Sequence, residues 1–303
     1  MNKIKYILSI LTLSIILVSC DNATIVNPFA NLDYEEIAIN DNDSIIAFLK
    51  NNYYDASKDS IKPLVSGKTS IFSDNNKLKT LTVTENDINY KLYVYVAEEG
   101  NPKPDKGFPT VVDSVFVKYE GRVLLNSTTL SSSFDSNTQF WFTLNSVVRG
   151  WTYGFNKFKG GELKKDSNGG PFNGPITYLN GGKGVLFIPS GLAYPSSDVN
   201  NIQRVPSLVD DVLVFYVELF DHVENTDTDQ DGIPSMMEDL DGDGEPRNDD
   251  TDGDGIPNFA DIDDDNDGVL TKDEDKNGDG NPANDFNDPA KPTVPDYLNP
   301  DIK

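Results

Sequence analysis

Residues 133–151 read SFDSNTQFWFTLNSVVRGW. Phe134, Phe140 and Phe142 stand among polar residues in the loose alternation of a strand, and one carboxylate, Asp135, follows the first of them. From residue 146 the spacing changes. Val147, Val148, Trp151 and Phe155 fall on one side of a short helix over 146–158. A strand that runs into an aromatic helix predicts a sheet with that helix laid against it. Gly150 is read as letting the chain turn closely ahead of Trp151.

Working outward, 80–97 and 111–125 are strand-like, separated by the turn-rich NPKPDKGFP (101–109). KGVLFIPSGLAY (183–194) and VLVFYVELFDHV (212–223) supply two more strands. The glycine-rich 164–182 reads as a long surface loop or extra hairpin. DNDSIIAFLKNNYY, from Asp41, predicts a short helix with Ile45, Ile46, Phe48 and Leu49 on its apolar side. The expected class is α+β, a curved, mostly antiparallel sheet carrying one short helix. Phe142, Leu144, Phe155 and Leu186 are read as core.

The net charge is −25 and unevenly spread. Residues 225–303 hold 25 acidic and five basic groups, against 25 acidic and 20 basic in the first 224. No basic patch suggests nucleic acid as a partner. The sole histidine, His222, is read as a surface residue with no cysteine or second histidine beside it, which argues against zinc and against Ser-His or Cys-His chemistry. No phosphate loop is present.

The chain begins MNKIKYILSILTLSIILVSC, a positive end followed by an apolar run shorter than the roughly 20 residues a membrane span needs. Residues 17–20, Leu-Val-Ser-Cys, resemble the bacterial lipoprotein signal, in which Cys20 becomes the lipidated first residue. The implied address is the bacterial envelope, anchored by lipid, with the outer membrane expected. Cys20 is the only cysteine, so no disulfide framework exists. The expected organisation is a signal peptide over 1–19, a tether over 20–40, an N-terminal helix and leading strand over 41–110, a main domain over 111–224, acidic repeats over 225–286 and an irregular end over 287–303.

VFVKYEGRVL, SFDSN, VVRGWTYGFNKFKGGE, VLFIPSGLAY and VLVFYVELFDHV, in that order, resemble an FKBP-type peptidyl-prolyl cis/trans isomerase over about 111–223. The resemblance implies a strongly bent antiparallel sheet wrapped on a short helix, proline-containing polypeptides as partners and no cofactor for catalysis. It implies Trp151 as the floor of the proline pocket, with Tyr119, Phe134, Phe140, Val147, Val148 and Phe215 as walls. Tyr194 would offer its hydroxyl to a substrate carbonyl, the Val148 N–H would hold another, and Asp135, at the buried edge, would orient Tyr119. Pro195 stands where the family usually has glycine, the 195–211 loop is altered, and 164–182 is an insertion.

The residue types suit that chemistry on physical grounds. An X–Pro bond isomerises in tens to hundreds of seconds unaided, over a barrier of about 18–20 kcal/mol set by amide resonance. The twisted amide is less dipolar than the planar one, so a dry aromatic hollow favours it, with no proton transfer or covalent step. Two other readings stay open: a peptide-binding or chaperone module of the same fold with little turnover, and a calcium-dependent surface spacer or adhesin.

The acidic segment repeats alternate oxygens, a glycine and a distal carboxylate. Asp227, Asp229 and Asp231 are followed by Glu238; Asp239, Asp241 and Asp243 by Asp250; Asp250, Asp252 and Asp254 by Asp261; Asp263, Asp265 and Asp267 by Glu274. A last copy, Asp275, Asn277 and Asp279, puts Phe286 at position twelve and reads as incomplete. Such loops wrap a hard cation, and Ca2+ is expected. Lacking EF-hand helices, the copies resemble thrombospondin type 3 calcium repeats. Met236 and Met237 read as apolar plugs between loops.

Overall fold

The computed structural model describes residues 32–198 and 204–303. Cys20 and the signal peptide lie outside them. The chain divides into two units, of which the second, Tyr34–Lys303, holds everything described below.

Helix α1 (Tyr34–Asn51) buries Asp41, Ile45, Phe48 and Leu49, a stripe at helical spacing, and carries Glu35 and Glu36 in its first turn and Lys50 in its last. It starts inside the segment read from sequence as a tether. The Asn52 amide donates to Phe48 O at 2.7 Å and satisfies a carbonyl at its end. A small hairpin follows, β1 (Asn52–Asp55) with β2 (Ser60–Pro63).

The main sheet comprises β3 (Leu78–Glu85), β4 (Ile88–Glu98), β5 (Ser114–Asn126), β6 (Thr129–Leu130), β7 (Asp135–Thr143), β10 (Gly182–Ile188) and β11 (Leu213–Val223). Its order is β3-β4-β10-β11-β5, with β6 and β7 both on the far side of β5, and every pairing is antiparallel. The segment 80–97 is thus the hairpin β3–β4 rather than one strand. The insertion forms a two-residue hairpin, β8 (Glu162–Leu163) with β9 (Tyr178–Leu179).

Both faces of the central strands are covered. On β4, Leu92 and Val94 face one core, with Trp151, Phe155, Leu186 and Phe215, while Tyr93 and Tyr95 face a second, with Ile45, Phe48 and Leu49 of α1. Two-sided burial explains why KLYVYV is apolar at successive positions instead of cleanly alternating. The arrangement is α+β, an antiparallel sheet with helices packed against it.

Helix α2 (Arg149–Gly154) is shorter than the predicted 146–158, because 3-10 turns at Leu144–Ser146 and Phe155–Lys157 flank it. Gly150 does not serve a turn. A Cβ there would lie 2.3 Å from Ile188 Cγ2, so the glycine lets α2 settle directly on β10.

The acidic tail has no strands among its described residues; each Asp loop is followed by a 3-10 turn, the first at Ser235–Glu238. It borrows core from the body. Phe259 is buried against Val111 and Val112, with Tyr153 and Met236 packed beside it, whereas Met237 is exposed. The segment 287–303 is irregular but packed: buried Asp296 accepts from Asn287 N at 2.7 Å and Nδ2 at 2.6 Å, and Tyr297 is buried.

Candidate functional site: an aromatic cavity and an acidic tail

The pairing of β5 with its neighbours builds the cavity. Phe215 lies opposite Gly121 and Val217 opposite Tyr119 across β11, while Asp135 lies opposite Gly121 across β7. A Cβ on Gly121 would fall 2.6 Å from both Phe134 Cζ and Phe215 Cε1. The missing side chain therefore makes room for these two rings, which meet edge to face at 5.6 Å.

Between them and α2 opens a cavity of about 1110 Å³, lined among others by Tyr119, Phe134, Asp135, Val147, Val148, Trp151, Tyr194 and Phe215. Trp151 sits at the centre of the cluster, edge to face with Tyr119 at 5.0 Å, Phe142 at 5.5 Å, Phe155 at 5.1 Å and Phe215 at 5.2 Å. It is largely buried, and its indole Nε1 has no hydrogen-bond partner. Buried indole N–H groups ordinarily find an acceptor, which this one lacks. Val148 occupies the N-cap position of α2.

Tyr119 Oη donates to Asp135 Oδ2 at 2.8 Å. Burial, and then the Asp135 carboxylate, push the Tyr119 hydroxyl above its ordinary pKa. Burial likewise raises Tyr194, with the Asp135 charge second. Asp135 itself is exposed at the rim rather than at a buried edge. Water therefore screens its charge, and its contact with Tyr119 outweighs any field it projects into the hollow.

Phe140 does not line the cavity. It is 49% exposed and packs on Phe142 at 4.8 Å. Phe142, read from sequence as core, takes the wall position. The two lie opposite Val117 and Val115 of β5 and share one face of β7, so alternation alone does not say which of them lies over the cavity. Glu85, Tyr90 and Arg149 also line the cavity and were not foreseen. His222 is buried, not exposed, and its Nδ1 lacks a partner.

The tail touches the cavity rim. Arg247 donates to Glu85 Oε1 at 2.7 Å, Glu245 Oε2 at 2.7 Å and Tyr153 Oη at 3.1 Å, while Tyr153 donates to Glu245. Arg149 lies 3.6 Å from the same Glu85 oxygen.

Within the tail, acidic clusters can coordinate a divalent cation: Asp227, Asp229 and Asp231; Asp239, Asp241 and Asp249; Asp250, Asp252 and Asp254; Asp263, Asp265 and Asp267; and a buried set of Asp231, Glu238 and Asp264. The second loop closes on Asp249, not on Asp250 as its spacing predicted. The last loop follows the same plan. Asp241 N donates to Asp249 at 3.3 Å and Asn277 N to Asp285 at 3.1 Å; Asn248 bonds Asp243 at 3.1 Å and Asn284 bonds Asp279 at 2.9 Å. Asp285, next to Phe286, therefore stands in the last copy where Asp249 stands in the second. Asp261 and Glu274 join none of the clusters formed by their own loops.

Residues 105–165 match the family model described as FKBP-type peptidyl-prolyl cis-trans isomerase. Residues 228–301 match the model described as BamM C-terminal. The second match overturns the expected likeness to thrombospondin type 3 repeats. A run of alternate aspartates before glycine reflects what oxygens must do around a cation, so it recurs in unrelated chains. Among solved structures, the chain is similar to FkpA from Escherichia coli, with 26% identity and a TM-score of 0.32, covering 50% of this chain and 54% of that one. It is also similar to a peptidyl-prolyl cis-trans isomerase from Pseudomonas syringae pv. tomato str. DC3000, with 19% identity and a TM-score of 0.36, covering 64% and 98% respectively. The chain thus spans about half the length of the Escherichia coli protein. No curated protein matches it. The resemblance to FKBP-type isomerases rests on the family match over residues 105–165. Among the described residues, no helix is long and apolar enough to cross a membrane.

Proposed function

We propose that the chain is a peptidyl-prolyl cis/trans isomerase acting on X–Pro bonds of exported polypeptides. One observation carries the reading: an open cavity lined by Trp151 together with Tyr119, Phe134, Phe142, Tyr194 and Phe215. The proline ring lies on the indole between Phe215, Phe134 and Phe142. Apolar walls favour the twisted, less dipolar amide over the planar one, and about 1.4 kcal/mol of that preference gives each tenfold in rate. Tyr194 and the Val148 N–H hold substrate carbonyls, and Asp135 fixes the Tyr119 ring against the floor. Cys20 anchors the protein by lipid to the envelope, and the Asp loops of the tail bind Ca2+ as a structural element.

The test is a protease-coupled assay with a proline tetrapeptide. Wild-type protein accelerates cis-to-trans conversion and Trp151→Ala loses most of that acceleration. Peptide binding by folded wild-type protein without acceleration would instead establish a binding module.

A further inference from the structure

Asp264 stands outside the alternating pattern of its own loop. Positions one, three and five of that loop are Asp263, Asp265 and Asp267, which cluster together. Position two is a threonine in the first and third loops, Thr228 and Thr251, each tied within its loop to Ser235 and Asn258. In the fourth loop it is an aspartate, buried to 1% exposure. Asp264 is not part of its own loop's cluster but groups with carboxylates of the first loop. Its Oδ2 accepts from Thr271 Oγ1 at 2.7 Å, while its Oδ1 has no partner.

That oxygen meets the first loop. Ligand atoms of Asp264, Asp231 and Glu238 lie within 4.8 Å of one another. Glu238 is fully buried with both carboxylate oxygens unpartnered, and Asp231 Oδ2, in a side chain 2% exposed, is unpartnered as well. Among the described residues no lysine or arginine forms a salt bridge with any of the three. Three buried carboxylates with idle oxygens are strongly unfavourable without a cation. Two Ca–O bonds of about 2.3–2.6 Å place ligand oxygens up to roughly 5 Å apart, which matches the observed spread. The all-oxygen set favours Ca2+ over softer metals, and its burial disfavours Mg2+, which keeps several waters.

We propose that a calcium ion bridges the first and fourth loops through Asp231, Glu238 and Asp264, cross-linking residues 26 to 33 positions apart in sequence. The neighbouring Asp229, whose two oxygens are also buried and unpartnered, completes the shell with backbone carbonyls or water. The tail is then a closed unit fastened by one inter-loop ion, and the remaining loops bind their ions locally. This rests on the reading of the tail as a calcium binder.

Calcium titration calorimetry and thermal unfolding of the full chain test it, with wild type, Asp264→Asn, Glu238→Gln, Thr271→Val and, as a local control, Asp254→Asn. Asp264→Asn and Glu238→Gln each lose one bound ion, or weaken one site at least tenfold, and shrink the calcium-induced rise in Tm more than Asp254→Asn does. In chelator the same two variants melt at or above the wild-type temperature, because a repelling charge has gone. Thr271→Val keeps the full number of ions. If either variant lowers Tm equally with calcium and with chelator, the residue is only structural and the bridge is refuted. Unchanged stoichiometry and affinity in both, with calcium still binding wild type, refute the bridge while sparing the general calcium reading. No uptake by wild type at millimolar calcium overturns both.

Discussion

Tyr119 Oη donates to Asp135 Oδ2 at 2.8 Å, joining a largely buried phenol beside the cavity floor to an exposed carboxylate on its rim. The bond holds the Tyr119 ring edge to face against Trp151. Tyr119→Phe removes one net hydrogen bond, worth about 1 kcal/mol. It is expected to lower kcat/KM about fivefold while the fold persists by circular dichroism. An unchanged kcat/KM would deny the bond any role in turnover.

The same hydroxyl is pushed above its usual pKa by burial and then by Asp135, so it stays protonated across neutral pH. With no proton moved in the reaction, kcat/KM is expected to be flat between about pH 6 and 9. A bell-shaped profile would require an acid–base step that the cavity does not supply.

Gly121 makes the cavity wall possible. Gly121→Ala brings a methyl 2.6 Å from the Phe134 and Phe215 ring edges, and overpacking of this kind costs about 1–3 kcal/mol. The expected outcome is a lower urea midpoint together with a raised KM, as both rings turn into the hollow. A raised KM is the diagnostic part, since a change remote from the cavity would alter stability alone.

Arg247 fastens the tail to the body through Glu85 and Tyr153. These groups are partly buried, and hydrogen bonds to charged groups contribute about 1.5–3 kcal/mol. Arg247→Ala is expected to destabilise the chain by roughly that amount. A double-mutant cycle with Glu85→Ala, read by urea unfolding, should return a coupling of at least about 0.5 kcal/mol. Strict additivity would mean that the contact is incidental.

His222 titrates against folding. Burial lowers its pKa; Asp113, Glu224 and Asp221 raise it and Lys106 lowers it further, with a net result below the ordinary 6.5. The folded chain therefore binds fewer protons at this site than the unfolded chain. The stabilisation is complete above pH 6.5 and is lost as pH falls through and below it, at up to about 1.4 kcal/mol per unit. Between pH 7.5 and 5.5, wild type should lose more stability than His222→Phe; equal losses would contradict the assignment.

Much of this was legible in the sequence, and the failures have physical causes. The change from strand to helical period near residue 146 placed α2, although its 3-10 flanks shortened it. Helix α1 was seen, but its start was missed because Tyr34, Glu35 and Glu36 form a polar first turn that resembles a tether. Phe140 and Phe142 exchanged roles because they share one face of β7, and alternation gives the face but not how far along the strand the cavity extends. Asp264 was passed over because it breaks the alternation of its own loop, and only the meeting of distant loops reveals what it faces. His222, a polar residue near the end of β11, gave no sign of its burial.

The proposed activity requires the cavity above Trp151 to accelerate rotation about a prolyl bond. Magnetisation-exchange NMR on an X–Pro peptide, with no protease present, measures that rotation directly. Catalytic amounts of wild-type protein should produce cis–trans exchange cross-peaks on a sub-second timescale, where the free peptide takes tens of seconds or more, and folded Trp151→Ala should largely abolish them. Absence of exchange peaks with wild-type protein that demonstrably binds the peptide would contradict the account.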